Sequence, residues 1–420
     1  MRRFPIVAVL VVASVPALTV GHAAQSAPSP AQGQQTPPQN QATSETSGET
    51  AGKSKQFTNI QVLKDIPADQ LLPSMQFISG ALGVDCAFCH VTDKGHEGFA
   101  SDDKHNKKTA REMMTMTIGI NHDSFAGQQR VTCATCHQGH NNPNAVAPVL
   151  DEARWQERVD ARARFAQAPA PGAGAAGQPA GQRTENARPS PQAMQAAAEE
   201  IIAKYVQSIG GDAAIQKLTS LEEKGTIATP HGDSSPFALE EKAPNKVALT
   251  RTIGNGPAHI VYNGEHATAA IGGRTNSIEG FDLEALKLDA NFYRNFNLKQ
   301  QYTRMQSPPF PQKIDGREVK SVRGTLPNNA GQETLSFDAQ SGLLLRRLTV
   351  LRTALGGIPQ QYDYSDYREV NGVKIPFVIK VSTAENIQTR TITEAKFNVP
   401  LDDNTFAMPS TPSASPSGGR

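Results

Sequence analysis

Cys-x-x-Cys-His occurs twice, at Cys86-Ala-Phe-Cys89-His90 and Cys133-Ala-Thr-Cys136-His137, and the two copies use all four cysteines of the 420-residue chain. Two thiols can add across the two vinyl groups of one porphyrin, and the histidine that follows the second thiol can take an axial position on its iron. The competing chemistries are a pair of disulfides and one zinc ion held by four thiolates. Zinc would require all four thiolates to converge and has no need of the adjacent histidines. The motifs therefore point to two covalently bound c-type haems. Cys86 and Cys89 would hold one, Cys133 and Cys136 the other, and His90 and His137 would each sit on an iron.

The elements that must position these residues repeat. A helix is expected before each motif. The first begins near Pro67, carries Leu71, Met75, Ile78 and Leu82 on one face, and stops at Gly83. The second opens on Thr109-Ala-Arg-Glu112, a capping-box pattern, and continues through Met113, Met114, Met116 and Ile120. Iron in a cytochrome takes a second histidine or a methionine as its sixth ligand. Met75 is the one sulfur on the first helix. The second helix offers three, of which Met113 shares a face with Met116 and Ile120, while Met114 points about a quarter-turn away. His96, His105, His122 and His140 are further candidates for an axial position. Lys104, Lys107 and Lys108 form a small basic cluster, either a solvated helix start or a patch that steers a partner.

Three segments resemble the cytochrome subunit of photosynthetic reaction centres: Ile60-Gln-Val-Leu-Lys-Asp-Ile-Pro67 through Cys86-x-x-Cys-His90, Thr109-Ala-Arg-Glu-Met113 through Asn121, and Val131-Thr-Cys-Ala-Thr-Cys-His137-Gln-Gly139. That family repeats a unit of helix, turn and haem motif, with an axial methionine on the helix. The resemblance implies Met75 and Met113 as the distal iron ligands. It also implies redox proteins as partners, with a membrane electron-transfer complex among them. The family commonly carries four motifs, and this chain has two.

The N-terminus reads as an export signal. Arg2 and Arg3 precede an apolar run from Ile6 to Val20, and small residues at Ala23 and Ala24 offer a cleavage site. The run is shorter than the roughly 20 residues of a membrane span. Residues 1–24 are thus expected to be a cleaved signal peptide and the periplasm the destination, where haem is attached to exported chains. Composition marks the remaining joints. Residues 25–55 and 165–189 are rich in Gln, Pro, Gly and Ala and read as linkers, and residues 409–420 as a polar tail. Two ordered blocks remain, a mainly α di-haem cytochrome domain over 56–164 and a second domain over 190–408. With 41 basic against 40 acidic residues, charge gives no case for nucleic acid as a partner.

The second block opens on Ser190-Pro191, a helix start, followed by Met194, Ala198, Ile201, Tyr205 and Ile209 on one face and Gly210-Gly211 at the end. Strands follow. Val373, Ile375, Phe377, Ile379 and Val381 alternate with Lys374, Pro376, Val378 and Lys380, and turn signals recur at Asn263-Gly264, Asp315-Gly316, Ser341-Gly342 and Asn371-Gly372. An α+β domain is expected, a mostly antiparallel, unclosed β-barrel curled around a helix. Tyr205-Val-Gln-Ser-Ile-Gly-Gly211, Ala243-Pro-Asn245, Phe337 through Leu343, Ser365 through Gly372 and Ile375-Pro-Phe377 resemble the LolA-like family of exported carriers. That resemblance implies a lipid ligand inside the curved sheet. His231, His259 and His266 show no metal spacing, and no catalytic constellation stands out. The expected function is an exported di-haem c-type cytochrome that carries electrons between periplasmic partners. A di-haem peroxidase-like oxidoreductase and a lipid or lipoprotein carrier with a redox-active haem domain are the alternatives.

Overall fold

The computed structural model describes residues 57–92, 95–143, 189–230, 232–253, 256–310 and 312–408, without the side chains of 95–97. The expected signal peptide, both linkers up to residue 188, the end of the first block, His231 and the tail lie outside the described residues, as does the His96 side chain.

The first block is helical. α1 spans Ala68–Leu82, α2 Cys86–Cys89, α3 Gly95–Ala100, α4 His105–Phe125 and α5 Cys133–His137. α1 ends where the sequence indicates, at Gly83, whose φ of 66° suits a residue without a Cβ. A Cβ there would lie 2.1 Å from the Gly139 carbonyl oxygen, so this glycine also permits a close backbone approach. α4 begins before the expected cap. Lys104 occupies its N-cap position, and Thr109 lies inside the helix, where its hydroxyl donates back to the His105 carbonyl at 3.4 Å. Tertiary contacts favour the earlier start. Asn106 Nδ2 donates to the Phe88 carbonyl at 3.1 Å, and Lys104 donates to that of Ala87, so the first turn of α4 is tied to the first motif.

The second block contains α6 (Pro191–Ser208) and α7 (Asp212–Ile215), then β1 (Ser220–Ala228), β2 (Ser234–Lys242), β3 (Lys246–Ile253), β4 (Gly256–Tyr262), β5 (Ala267–Ile271) and β6 (Arg274–Ile278). After α8 (Gly280–Asp289) come β7 (Arg304–Gln306), β8 (Gln312–Ile314), β9 (Arg317–Thr325), β10 (Gly331–Asp338), β11 (Leu344–Arg352), β12 (Gly357–Val370), β13 (Val373–Thr383) and β14 (Ile387–Phe397). These strands form one antiparallel sheet in the order β6-β5-β4-β3-β2-β1-β14-β13-β12-β11-β10-β9-β7, with β8 also on β9. The end strands β6 and β7 do not pair with each other, so the barrel is unclosed, as expected.

Its local signals behave as the sequence indicates. All four Gly-containing turn signals fall at hairpin tips, and Val373 to Val381 alternate buried and less buried along β13. Ser190 caps α6 by accepting from the Ala193 N–H at 3.1 Å. The buried stripe of α6 is slightly rotated from the expected one. Ala198, Tyr205 and Ile209 are buried with Ile202, while Ile201 is only partly covered. The barrel core also holds a charged network, in which Glu333 takes Arg294 at 2.7 Å and Arg347 at 2.6 Å. Burial alone would raise the Glu333 carboxyl, but the two guanidiniums hold it down to about 2.

The two blocks touch. α1 lies against α8 and the start of β12, and Phe77, Gly80 and Asp69 come within van der Waals reach of Gly356, Ala384 and Gly280 respectively. Leu355 packs against the small core of the first block, formed by Leu63, Leu71, Ile78 and Met114. The linker composition suggests two independent bodies; the described residues meet across a packed surface.

Candidate haem sites

Each Cys-x-x-Cys forms a single helical turn. Thiols at i and i+3 therefore fall on one side of α2 and one side of α5, as two additions to one porphyrin require. All four are free thiols. Asp85 starts α2 by accepting from the Phe88 N–H at 3.1 Å, and the Thr135 hydroxyl accepts from the Thr132 N–H at 3.0 Å at the start of α5. Burial pushes the thiols of Cys86, Cys89 and Cys133 up, and Glu385 of the barrel adds to the effect at Cys86. Among the described residues no three His, Cys, Asp or Glu side chains are grouped to hold a metal ion.

Both motif histidines make the same hydrogen bond. His90 Nδ1 lies 2.9 Å from the Phe99 carbonyl and His137 Nδ1 lies 2.9 Å from the His140 carbonyl. A carbonyl only accepts, so each Nδ1 carries the proton and each Nε2 keeps its lone pair. A bond of this kind fixes the orientation of a metal-ligating imidazole. His90 is further stacked on Phe99, ring centroids 5.0 Å apart. The residues present thus fit a c-type haem at each motif.

The helices that precede the motifs pack in exchange. α1 lies against α5, the second motif, with Gly139 N–H donating to the Ala81 carbonyl at 2.8 Å, while α4 lies against α2, the first motif. Each helix thus packs against the motif that it does not directly precede. Met75 is partly buried beside the Leu71–Ile78–Met114 cluster. The methionines of α4 divide by face. Met114 is a core residue at 8% exposure, while Met113 and Met116 stand at 38% and 49%, with Ile120 also exposed. Among the described residues, Met113 belongs to no buried core cluster.

Two buried polar residues, neither expected from the sequence to have this role, hold these parts. Asn121 is buried, accepts from the N–H groups of Arg130 and Val131 at 2.9 Å each, and donates to the Val131 carbonyl at 2.6 Å. It thereby fixes the chain just before Cys133. Lys107 is buried and donates to the carbonyls of Phe99, Ala100 and Ser101 at 2.8–2.9 Å, with Asp102 at 3.3 Å. Of the basic cluster, Lys104 and Lys107 are therefore committed to the fold. His105 and His122 lie on α4, where His122 pairs with Asp123 at 2.7 Å, and His140 serves through its carbonyl.

The barrel encloses a cavity of about 130 Å³ lined by residues that include Glu223, Glu241, Asp289, Arg390, Phe296 and Tyr362. Burial, with Glu223 beside it, pushes Glu241 up to about 8.

Residues 19–176 match the family described as photosynthetic reaction centre cytochrome C subunit. Cytochrome c-554 of Chloroflexus aurantiacus is 37% identical over 92 residues, which cover 20% of this chain and 21% of that protein. The photosynthetic reaction center cytochrome c subunit of Roseobacter denitrificans is 31% identical over 99 residues, covering 21% of this chain and 26% of that one. The chain thus spans about a quarter or less of these relatives' length. Among solved structures, a DUF1329 family protein from Desulfovibrio piger aligns with 51% of this chain and 97% of its own, at 10% identity and a TM-score of 0.37. A LolA superfamily protein from Nitrosomonas europaea aligns with 50% and 97%, at 14% identity and a TM-score of 0.35. The family match takes in both Cys-x-x-Cys-His motifs, so the motif-bearing block is similar to a c-type cytochrome of the reaction-centre type.

Proposed function

We propose that this chain is an exported di-haem electron carrier, with one haem on Cys86 and Cys89 and the other on Cys133 and Cys136. His90 and His137 are the proximal iron ligands, and Met75 and Met113 the distal ones. The observation that carries this reading is the matched pair of Nδ1–H···O=C bonds at His90 and His137, which leaves both Nε2 atoms free to ligate. The exposed apolar face of Met113, Met116 and Ile120 supports it, because a porphyrin is a flat apolar partner for such a face.

Haem iron, when bound, accepts and returns one electron at a potential that the ligands and their burial set. The residues of the chain perform the rest. The cysteines tether the macrocycle, the Phe99 and His140 carbonyls orient the imidazoles, and Asn121 and Lys107 fix the loops on which those groups depend. If Met75 and Met113 held the two haems together with His90 and His137, no position would be left for a substrate, which favours electron carriage over peroxidase chemistry. The partners are redox proteins of the periplasm, and the family likeness makes a membrane electron-transfer complex a fitting acceptor. A lipid ligand in the curved sheet is the second reading: the 130 Å³ cavity mixes charged residues with apolar ones such as Leu239, Phe296 and Ile379, and a larger cavity of about 610 Å³ lies beside α6 against Met194, Ile201 and Phe337.

Expression with a haem-ligation system tests the reading. The intact mass should exceed that of the polypeptide by two haems, and reduction should give a low-spin c-type spectrum. A colourless protein with oxidised Cys86–Cys89 and Cys133–Cys136 pairs would overturn it.

A further inference from the structure

Two hairpin tips of the barrel are built alike. At Thr353-Ala-Leu-Gly356, between β11 and β12, the Thr353 hydroxyl accepts from the N–H groups of Leu355 and Gly356 at 3.2 and 3.1 Å, and the Thr353 N–H donates to the Gly356 carbonyl at 2.7 Å. At Thr383-Ala-Glu-Asn386, between β13 and β14, the Thr383 hydroxyl accepts from Glu385 and Asn386 at 3.2 and 3.0 Å, and its N–H donates to the Asn386 carbonyl at 2.8 Å. A threonine that bonds the backbone of its own turn stiffens it.

Both tips press on α1, and they do so reciprocally. At the first, the barrel supplies the glycine and the helix the ring: a Cβ on Gly356 would lie 2.3 Å from Phe77 Cζ. At the second, the helix supplies the glycine: a Cβ on Gly80 would lie 2.5 Å from the Ala384 Cβ. The first tip reaches further into the haem block, through Leu355 in its core and the Ala354 carbonyl, which accepts from Gln129. Phe77 is two residues past Met75, about 200° around the helix. One face of α1 is therefore seated on the barrel, while the opposite face carries Met75.

We propose that the barrel is the seat of the ligand helix, and that its two Thr-centred tips hold α1 in the rotation and register that place Met75 on its iron. The proposal rests on the haem reading above. Phe77, Gly80, Gly356, Thr353 and Thr383 are positioning residues; they act through α1. The tips give the C-terminal block a part in the redox unit itself.

The test uses the full chain with both haems attached. In Thr353→Val/Thr383→Val, the valines keep the side-chain shape and remove the hydroxyls that brace the tips. The haem count should stay at two. The charge-transfer band from thioether to ferric iron should be lost from one haem of the pair, and one midpoint potential should fall while the other holds. Thr353→Ser/Thr383→Ser should restore both signals. Gly356→Ala, which drives a methyl into Phe77 and leaves the threonines intact, should reproduce the valine result by a separate route. Unchanged bands and potentials in both the valine pair and Gly356→Ala, with two haems bound, would overturn the seat and leave the haem reading standing. A parent chain without covalent haem would overturn the haem reading, and the seat with it.

Discussion

Lys107 and His90 converge on one atom, the carbonyl oxygen of Phe99, each with a nitrogen 2.9 Å away. The oxygen has two lone pairs, and a buried ammonium and an imidazole N–H take one each. Lys107 thus fixes the acceptor that fixes the His90 imidazole, with Asp102 and Arg111 fixing Lys107 and its loop in turn through contacts of 3.3 and 2.9 Å.

Lys107→Met keeps the aliphatic stem and deletes the ammonium. Three carbonyls lose a charged donor, so the haem block should be destabilised by roughly 2 kcal/mol. The reduced spectrum of the haem on Cys86 and Cys89 should broaden while the other keeps its form. Thermal melts followed in the haem bands would measure both effects.

The methionines of α4 should separate by function. Met114→Ala removes a core side chain and should cost roughly 3 kcal/mol with the spectrum intact. Met113→Leu should cost little stability and abolish the thioether signature of one iron. The assignment fails if Met113→Leu leaves both irons unperturbed while Met116→Leu perturbs one.

The contact between the blocks should weaken as pH rises. Burial first, and the Asp69 carboxylate second, push Asp282 from 3.8 up to about 7. A carboxyl raised on folding holds its proton more tightly in the folded state. Its contribution is therefore complete below 3.8 and is lost as pH climbs through about 7. Melting temperature should decline between pH 5 and 8 and level off above. Asp282→Asn should flatten that slope, which differential scanning calorimetry can show.

Glu333→Gln should be the most damaging single change in the barrel core. It leaves the buried guanidiniums of Arg294 and Arg347 facing a neutral amide, at a cost of roughly 3–5 kcal/mol. Urea unfolding of the barrel would register the loss, and Glu369→Gln, on the exposed surface, should not.

What was legible in the chain was local. Asn371-Gly372 and Asp315-Gly316 specify their turns from two residues, Ser190-Pro191 starts α6, and the period of two in β13 follows from one buried face. The haem motifs are legible for the same reason, since attachment needs five adjacent residues. The rest depends on partners far along the chain. Thr109-x-x-Glu112 is a sound cap pattern, yet the helix starts earlier because Asn106 and Lys104 find carbonyls of the first motif. Thr353-Ala-Leu-Gly and Thr383-Ala-Glu-Asn look like ordinary turns until α1 is seen lying across both. The exchanged packing of α1 and α4 leaves no periodic trace, because it depends on Gly83 meeting Gly139.

That exchange also orders events in time. α1 is synthesised early, but the surfaces that receive it, Gly139 after the second motif and the tips at Gly356 and Ala384, emerge much later. Contacts so distant in sequence carry a large loop-closure cost and close late. The thiols of the first motif therefore spend the interval beside an unseated helix, when Cys86 and Cys89 are most open to an attachment enzyme. Haem ligation at the first motif can thus precede the final docking of the chain, and Cys86 stays exposed after it.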